Sequence, residues 1–318
     1  MADSKAILVT GAGGFLGKRV CRRLLADGHT VHALEFREDA IRSIPIPEGA
    51  PGTLVPQILD LTNATSLDNL FEAAPIQSVI HLAAYGVRAD RLEVDKMLNV
   101  NATATAMLAH AAKKAGIERF LLIGSGSEYL PVARPTTESD VMGAINLYGA
   151  SKISAWYTLD YLRRMESFPL VTLRPFGFYG IGEVVPRLVP YVLEQAKAGQ
   201  TMEFTEGTQI RDWLFVDDLV DAIVRALLMP QALGEVFNIG YGPSGACTVR
   251  EAVETAVRVA GGDLSLAKFG AIVRERAEPP YFVCDPSKAM TLLKWRPKTG
   301  LREGLELTAE SLWGAKDS

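Results

Sequence analysis

Cysteine is scarce in this 318-residue chain: Cys21, Cys247 and Cys284 are odd in number and far apart, with no CxxC spacing and no histidine at metal-ligand spacing. That excludes a disulfide framework and a zinc site, and leaves three small apolar fillers. Histidine is as sparse: His29, His32, His81 and His110 form no HxH or HExxH pattern, so no metal is expected and two of them, beside a strand, read as packed. Positive charge is not in excess. The net charge is −4 and nothing interleaves basic with aromatic residues, which argues against nucleic acid as a partner. No apolar run approaches the roughly 18 residues of a membrane span, and MADSKAILVT enters an apolar strand too early for a signal peptide. No membrane partner is expected, and the cytoplasm is the default compartment. What is present is a globular composition, 48% hydrophobic and 22% charged, long enough for one large α/β domain and a smaller one.

The organising stretch is AILVTGAGGFLGK, Ala6 to Lys18. Ile7, Leu8 and Val9 read as a buried strand, Gly11, Gly13, Gly14 and Gly17 follow, and Lys18 to Ala26 has helical periodicity. Strand, glycine turn and helix together make a place for a pyrophosphate. The turn must be tight, its backbone must approach an anion, and the helix must open with free N–H groups aimed at it. The spacing is Gly11-x-x-Gly14-x-x-Gly17, since Leu16 stands where the GxGxxG pattern has its third glycine.

A second strand from Thr30 ends at Glu35, 18 residues past Gly17, where a carboxylate can accept both hydroxyls of an adenosine ribose and repel a 2′-phosphate. That favours NAD. Arg37, two residues on, is placed to meet a 2′-phosphate instead, which keeps NADP as the alternative. Residues 44 to 57 read as a proline- and glycine-rich connection, followed by a short strand into Asp60 and Leu61 and a helix from about Thr65 to Ala74. Ser78 to Ala84 reads as a strand ending in small residues beside a cofactor, Asn99 to Lys114 as a helix opened by its asparagine, and Phe120 to Gly124 as another strand. This alternation predicts a doubly wound, Rossmann-like parallel sheet.

Ser125 lies at the carboxyl end of the last of these strands, where ligands of such sheets gather. Tyr148 and Lys152, four apart at the start of a helical stretch, face one side. A lysine cation beside a phenol favours phenolate, so this tyrosine can exchange a proton with a sugar hydroxyl or carbonyl.

With these residues in place, the chain resembles the extended short-chain dehydrogenase/reductases, the NAD-dependent epimerase/dehydratase family that acts on nucleotide sugars. The resemblance runs through TGAGGFLG, the acid after VHAL, DLT, VIHLAA, NVNATAT, IGSGSEY, NLYGASK, LRPFGFYGIGE, QIRDWLFVDDLVDAI, EVFNIGYG, CDPSKA and LLKWRPKTGLREGLELT. It implies that Gly11, Gly14 and Gly17, with Phe15 and Leu16 between them, hold the pyrophosphate, Glu35 the ribose, and Asp60 with Leu61 the adenine edge. Leu82, Ala83 and Ala84 line the cofactor, Asn101 borders the site, and Pro175 with Phe176 lies by the nicotinamide. Ser125 hydrogen-bonds the reacting oxygen, Tyr148 is the acid/base, and Lys152 grips the nicotinamide ribose. Arg211 meets the substrate phosphates, and Arg276 or Arg274, on either side of Glu275, stands in for a second arginine whose usual place Glu275 holds. Residues 1–175, with 211–240 returning, form the NAD(P)-binding domain; residues 176–210 and 241–318 form the sugar-nucleotide lobe, with a helix from Val185 to Gln200 over the cleft. The family also implies a homodimer through the helices Asn99 to Lys114 and Ser151 to Arg164, where Met107, Trp156 and Leu159 fit either that interface or the chain's own core.

Two departures narrow the reaction. Where 4,6-dehydratases carry Asp and Glu after the serine or threonine, this chain has Gly126 and Ser127. Glu128, one residue on, points to the other face of an extended segment and receives no such role. Many relatives have asparagine after RPF, where this chain has Gly177. The expectation is an NAD-dependent epimerase acting at C4 through a 4-keto sugar. A 4-keto-6-deoxy sugar reductase is the alternative, for which GTQIRDW and AEPPYFVCDPSKA are the supporting stretches, followed by a dehydratase or a non-catalytic NAD-binding scaffold.

Overall fold

The computed structural model describes residues 4–86, 93–273 and 278–314. Its centre is a seven-stranded parallel sheet. Strands β1 (Ala6–Thr10), β2 (Thr30–Glu35), β3 (Thr53–Ile58), β4 (Ser78–His81), β5 (Arg119–Ile123) and β6 (Leu170–Pro175) stand in the order β6-β5-β4-β1-β2-β3. A further strand, Val236–Ile239, extends the β6 edge in parallel. The order reverses between β1 and β4, so the loops leaving these two strands diverge and open a crevice at their carboxyl ends. Helices cover both faces, which is why β1, β4, β5 and β6 are nearly continuous runs of buried residues rather than alternating ones. One face packs Ile7, Val9 and Val31 against the helices Phe15–Ala26 (α1) and Val216–Leu228. The other packs Leu8, Val79 and Phe120 against Ala64–Ala73 and Ala104–Lys114.

Smaller strands build the rest. Ile210–Arg211 lies between Cys247–Thr248 and Tyr281–Phe282, and Met202–Phe204 pairs with Ala267–Phe269. The helices Leu188–Lys197, Val249–Val259 and Leu301–Gly314 pack there around Val192, Leu193, Val253 and Leu305.

Three boundaries differ from the sequence reading. Strand β3 spans Thr53–Ile58, beginning inside the stretch read as a connection and ending short of Asp60 and Leu61, because Pro56 lacks only a donor that an edge strand does not need. The helix expected to open at Asn99 begins at Val94, passes through a π-turn at Asn99–Thr103 and continues to Lys114. The helix read from Val185 to Gln200 is confined to Leu188–Lys197. Leu159 is buried in the chain's own core with Met107 and Trp156 packed against it, while Tyr157, Tyr161 and Met165 on the helix Leu147–Glu166 are exposed.

Candidate active site

The turn after β1 is held open by what its residues lack. Gly11 takes a left-handed conformation (φ +68°), and a side chain on Gly17 would run into the Gly11 carbonyl oxygen. Only a bare residue lets α1 start this close behind the strand. Glu35, buried at the end of β2, accepts the Gly13 N–H at 2.8 Å. Burial pushes its carboxyl up, and the Gly13 and Phe36 amides and Arg37 pull it back. Arg37 pairs with Asp39 at 3.3 Å on the surface. Asp60 folds one oxygen back onto Thr62, accepting from its N–H at 2.9 Å and its hydroxyl at 2.8 Å.

A cavity of about 1090 Å³ runs from this turn across the sheet. Gly11, Gly14, Phe15, Leu16, Gly17, Glu35, Asp60 and Leu61 line one end, Leu82, Ala83, Ala84 and Pro175 the middle, and Ser125, Tyr148 and Lys152 the other. Ser125 caps a short 3₁₀ turn, Gly126–Glu128. Its Oγ accepts the Ser127 N–H at 3.1 Å, and its own N–H donates to Glu128 Oε1 at 2.7 Å. The segment is therefore curled rather than extended. Glu128 is fully buried, and its second oxygen takes Arg174 Nε at 2.7 Å. Arg174 also donates to the Tyr129 hydroxyl at 2.7 Å and stacks on Trp156. This buried pair fixes the turn that presents Ser125.

The electrostatics at Tyr148 differ from those expected of the Tyr-Lys spacing. Burial, then the Glu128 carboxylate, pushes the phenol well above its usual range, and Arg187 opposes them. Lys152 is itself buried, which lowers its ammonium to about 8 against the upward pull of Glu128. His81 is neutral: burial, and then Lys152, drive it down to about 3. It bridges the hydroxyls of Thr10 at 2.7 Å and Thr105 at 2.8 Å, as a packed histidine does.

Two residues expected at the site stand differently. Asn101 is absent from the cavity wall; its amide is spent on the backbone of Tyr85, at 2.7 and 2.9 Å, and on Ser151 at 2.9 Å, which ties the Tyr85 loop to the helix of Tyr148. Arg211 also lies off the wall, donating to the carbonyls of Ile210 and Pro279 at 2.9 Å each and to Glu278 at 3.1 Å. Arg276 lies outside the described residues. Among the described residues, the cations that line the cavity are Lys96, Lys152 and Arg187, of which only Lys152 announced itself through a motif. The two departures at glycine acquire steric reasons. A Cβ on Gly126 would sit 2.8 Å from the Phe282 ring and 2.9 Å from that of Phe176, and one on Gly177 would strike the Asp212 carbonyl.

Residues 7–240 match the NAD dependent epimerase/dehydratase family. The sequence is 30% identical to a UDP-glucose 4-epimerase of Mycolicibacterium smegmatis, over 95% of this chain and 97% of that one. The fold superposes on the UDP-glucose 4-epimerase of Thermotoga maritima solved with UDP-glucose, at a TM-score of 0.86 and 25% identity, covering 98% of this chain and all of the other (100%). It superposes as well on the UDP-glucuronic acid 4-epimerase of Bacillus cereus in complex with UDP-glucuronic acid and NAD, at a TM-score of 0.85 and 26% identity, covering 98% and 99% of the two chains. No helix among the described residues is long and apolar enough to cross a membrane.

Proposed function

The chain belongs to the NAD-dependent epimerase/dehydratase family, and from that premise we propose that it is a nucleotide-sugar 4-epimerase that uses NAD and acts on a UDP-hexose, as its named relatives do. The observation that carries this reading is the single cavity with the glycine turn and Glu35 at one end and Ser125, Tyr148 and Lys152 at the other. The turn fits a dinucleotide, because it offers backbone amides at the start of α1 and has glycine at each point where a side chain would fill the cradle. Gly11, Gly14 and Gly17, with Phe15 and Leu16, would hold the pyrophosphate, Glu35 the ribose, and Asp60 with Leu61 the adenine edge. Leu82, Ala83, Ala84 and Pro175 would flank it, and Asn101 would hold the Tyr85 loop behind them.

Held by these residues, NAD would supply hydride chemistry at C4 of the sugar. Tyr148 takes the C4 hydroxyl proton and gives it back. Ser125 Oγ already accepts the Ser127 N–H, so its own proton is available to the same sugar oxygen. Lys152 would hold the nicotinamide ribose. Residues 176–210 and 241–318 would receive the nucleotide, with Arg211 swinging from Glu278 to the phosphates and Arg276 as its second partner. The crowding at Gly126 leaves no room for the acid that dehydration needs there, which favours epimerisation. A homodimer belongs to the same reading, and the exposed Tyr157, Tyr161 and Met165 support it.

The test is the cofactor content of the purified protein, followed by a panel of UDP-, GDP-, CDP- and dTDP-sugars watched at 340 nm. Bound NAD, and interconversion of C4 epimers without net absorbance change, is the expected result. Stoichiometric loss of added NADPH with a 4-keto-6-deoxy sugar would replace the epimerase by a reductase. Tyr148→Phe should lower turnover by about 10²–10⁴-fold with NAD binding retained.

A further inference from the structure

Where the strand order reverses, β1 and β4 end side by side, and their last residues, Thr10 and His81, are register partners. Gly11 and Leu82 follow them directly onto the cavity wall. Thr10, His81, Thr105 and Asn101 are fully buried, so their polar atoms must be answered within the protein. Counting protons fixes the direction of each bond. The Thr105 hydroxyl stands 2.8 Å from the Asn101 carbonyl oxygen, which can only accept, so its one proton is committed there. His81 Nε2, 2.8 Å from the same hydroxyl, must therefore carry the proton of the neutral ring and donate it. That leaves Nδ1 to accept from the Thr10 hydroxyl at 2.7 Å, whose oxygen in turn takes the Ala83 N–H at 3.2 Å. Every bond runs one way, from the Ala83 amide to the Asn101 carbonyl. The chain ends in the π-turn Asn99–Thr103. From that turn the Asn101 amide reaches the backbone of Tyr85 and the Ser151 hydroxyl, and this hydroxyl donates to the Tyr148 carbonyl at 2.7 Å.

We propose that His81 is a positioning residue: acting through Thr105, it fixes the π-turn whose Asn101 amide joins the Tyr85 loop to the helix that carries Tyr148. The inference rests on the reading of Tyr148 as the acid/base. His81 is not itself on the cavity wall. A π-turn departs from the regular helical ladder, so its geometry needs support from outside the helix. Thr105 supplies that support at the Asn101 carbonyl, and His81 holds the Thr105 hydroxyl in the direction that delivers it. An imidazole suits the place because one rigid ring presents an acceptor to a neighbouring strand and a donor to a helix. A charged ring would turn a second N–H against the Thr10 proton, so the chain of bonds requires the neutral form.

The test is made by NMR without substrate, on protein carrying isotope-labelled histidine or tyrosine. The His81 ring, assigned by its loss in His81→Gln, should show the neutral tautomer protonated at Nε2 and should not titrate between about pH 5 and 8. The tautomer protonated at Nδ1, or titration in that range, overturns the proposal. Thr105→Val then removes the hydroxyl at nearly constant volume. Solvent exchange of the Tyr85 amide should quicken about fivefold to tenfold, and the Tyr148 ring resonance should move. The Tyr157 amide, in the middle of the helix Leu147–Glu166, should keep its wild-type rate. The three tyrosines are assigned by their loss in Tyr85→Phe, Tyr148→Phe and Tyr157→Phe, and Thr105→Ser should restore both changes. Equal acceleration at Tyr85 and Tyr157 would mean a general loss of stability; that result, an unmoved Tyr85 amide or an unmoved Tyr148 resonance overturns the positioning role. Should Thr105→Val fail to fold, Thr105→Cys, a weaker hydrogen-bonding group, is expected to give a smaller change in the same direction, and no change there overturns the role equally. Because no sugar nucleotide is present, failure on the substrate panel would withdraw the role of Tyr148 and leave this result readable.

Discussion

Two turns leave the parallel sheet toward the same cavity, one after β1 and one after β5, and they are built from opposite materials. The first is bare backbone: glycines at positions 11, 14 and 17 let α1 start against the strand, and the nearest obstacles to any added Cβ are backbone atoms, the Gly11 carbonyl for residue 17 and Ala83 for residue 11. The second is held by buried charge. Ser125, the Gly126–Glu128 turn and β6 are fastened together by Glu128, which takes the Ser125 N–H with one oxygen and Arg174 with the other. A backbone cradle cannot take an added atom without moving the chain, whereas a charged clamp cannot lose one partner without leaving the other charge buried and unpaired.

The largest effect should come from breaking the clamp on one side. Glu128→Ala leaves the Arg174 guanidinium buried without its anion, and a loss of about 3–5 kcal/mol is expected in denaturant unfolding. The double change Glu128→Gln with Arg174→Met should recover most of that stability, because no uncompensated charge remains, while the Ser125 turn loses its fixed geometry and activity stays low. Recovery of activity along with stability would erase the distinction between the two turns. Gly17→Ala comes next. Its methyl meets a carbonyl that cannot give way without moving α1, so about 1–3 kcal/mol of stability and a clear loss of NAD affinity are expected; unchanged NAD titration would show that the cradle yields more readily than its contacts imply.

The smallest effect concerns the carboxylate with the poorer partner. Burial raises Glu183 from 4.5 to about 7, against Arg187 and the Gly180 amide. The folded protein therefore binds this proton more tightly than the unfolded chain does. The stability it contributes is fully present below the unfolded carboxyl's 4.5 and is lost as pH rises through about 7. Glu183→Gln should remove that component and flatten the stability profile between about 4.5 and about 7. A mutant profile parallel to the wild type would mean that Glu183 does not titrate there.

The contrast also explains what could be read early. The glycine turn, Glu35 at the end of β2, and the Tyr148–Lys152 spacing are local patterns, and each falls on the cavity wall. Strand β3 and the helix start at Val94 were misjudged for local reasons: Pro56 and the preceding glycines look like a connection unless the strand is known to be an edge, and Asn99 looks like a cap although it lies within a helical run. Asn101 and Arg211 have the expected residue types, yet their side chains are spent on Tyr85 and Ser151 in one case and on Glu278 and two carbonyls in the other. Arg187 carried no motif, and it reaches the cavity wall just ahead of the helix Leu188–Lys197 through the tertiary fold.

The sequence by itself determined the parallel sheet, the glycine turn at its first strand and the placing of Tyr148 and Lys152 on one wall, because period, glycine spacing and a four-residue interval act over one or two turns of chain. Only the tertiary structure decided which charges surround Tyr148. Glu128 precedes Tyr148 by 20 residues and Arg187 follows it by 39. Charges act through space, in an interior that screens them little, so the balance that sets a buried phenol depends on which distant segments the fold brings within reach.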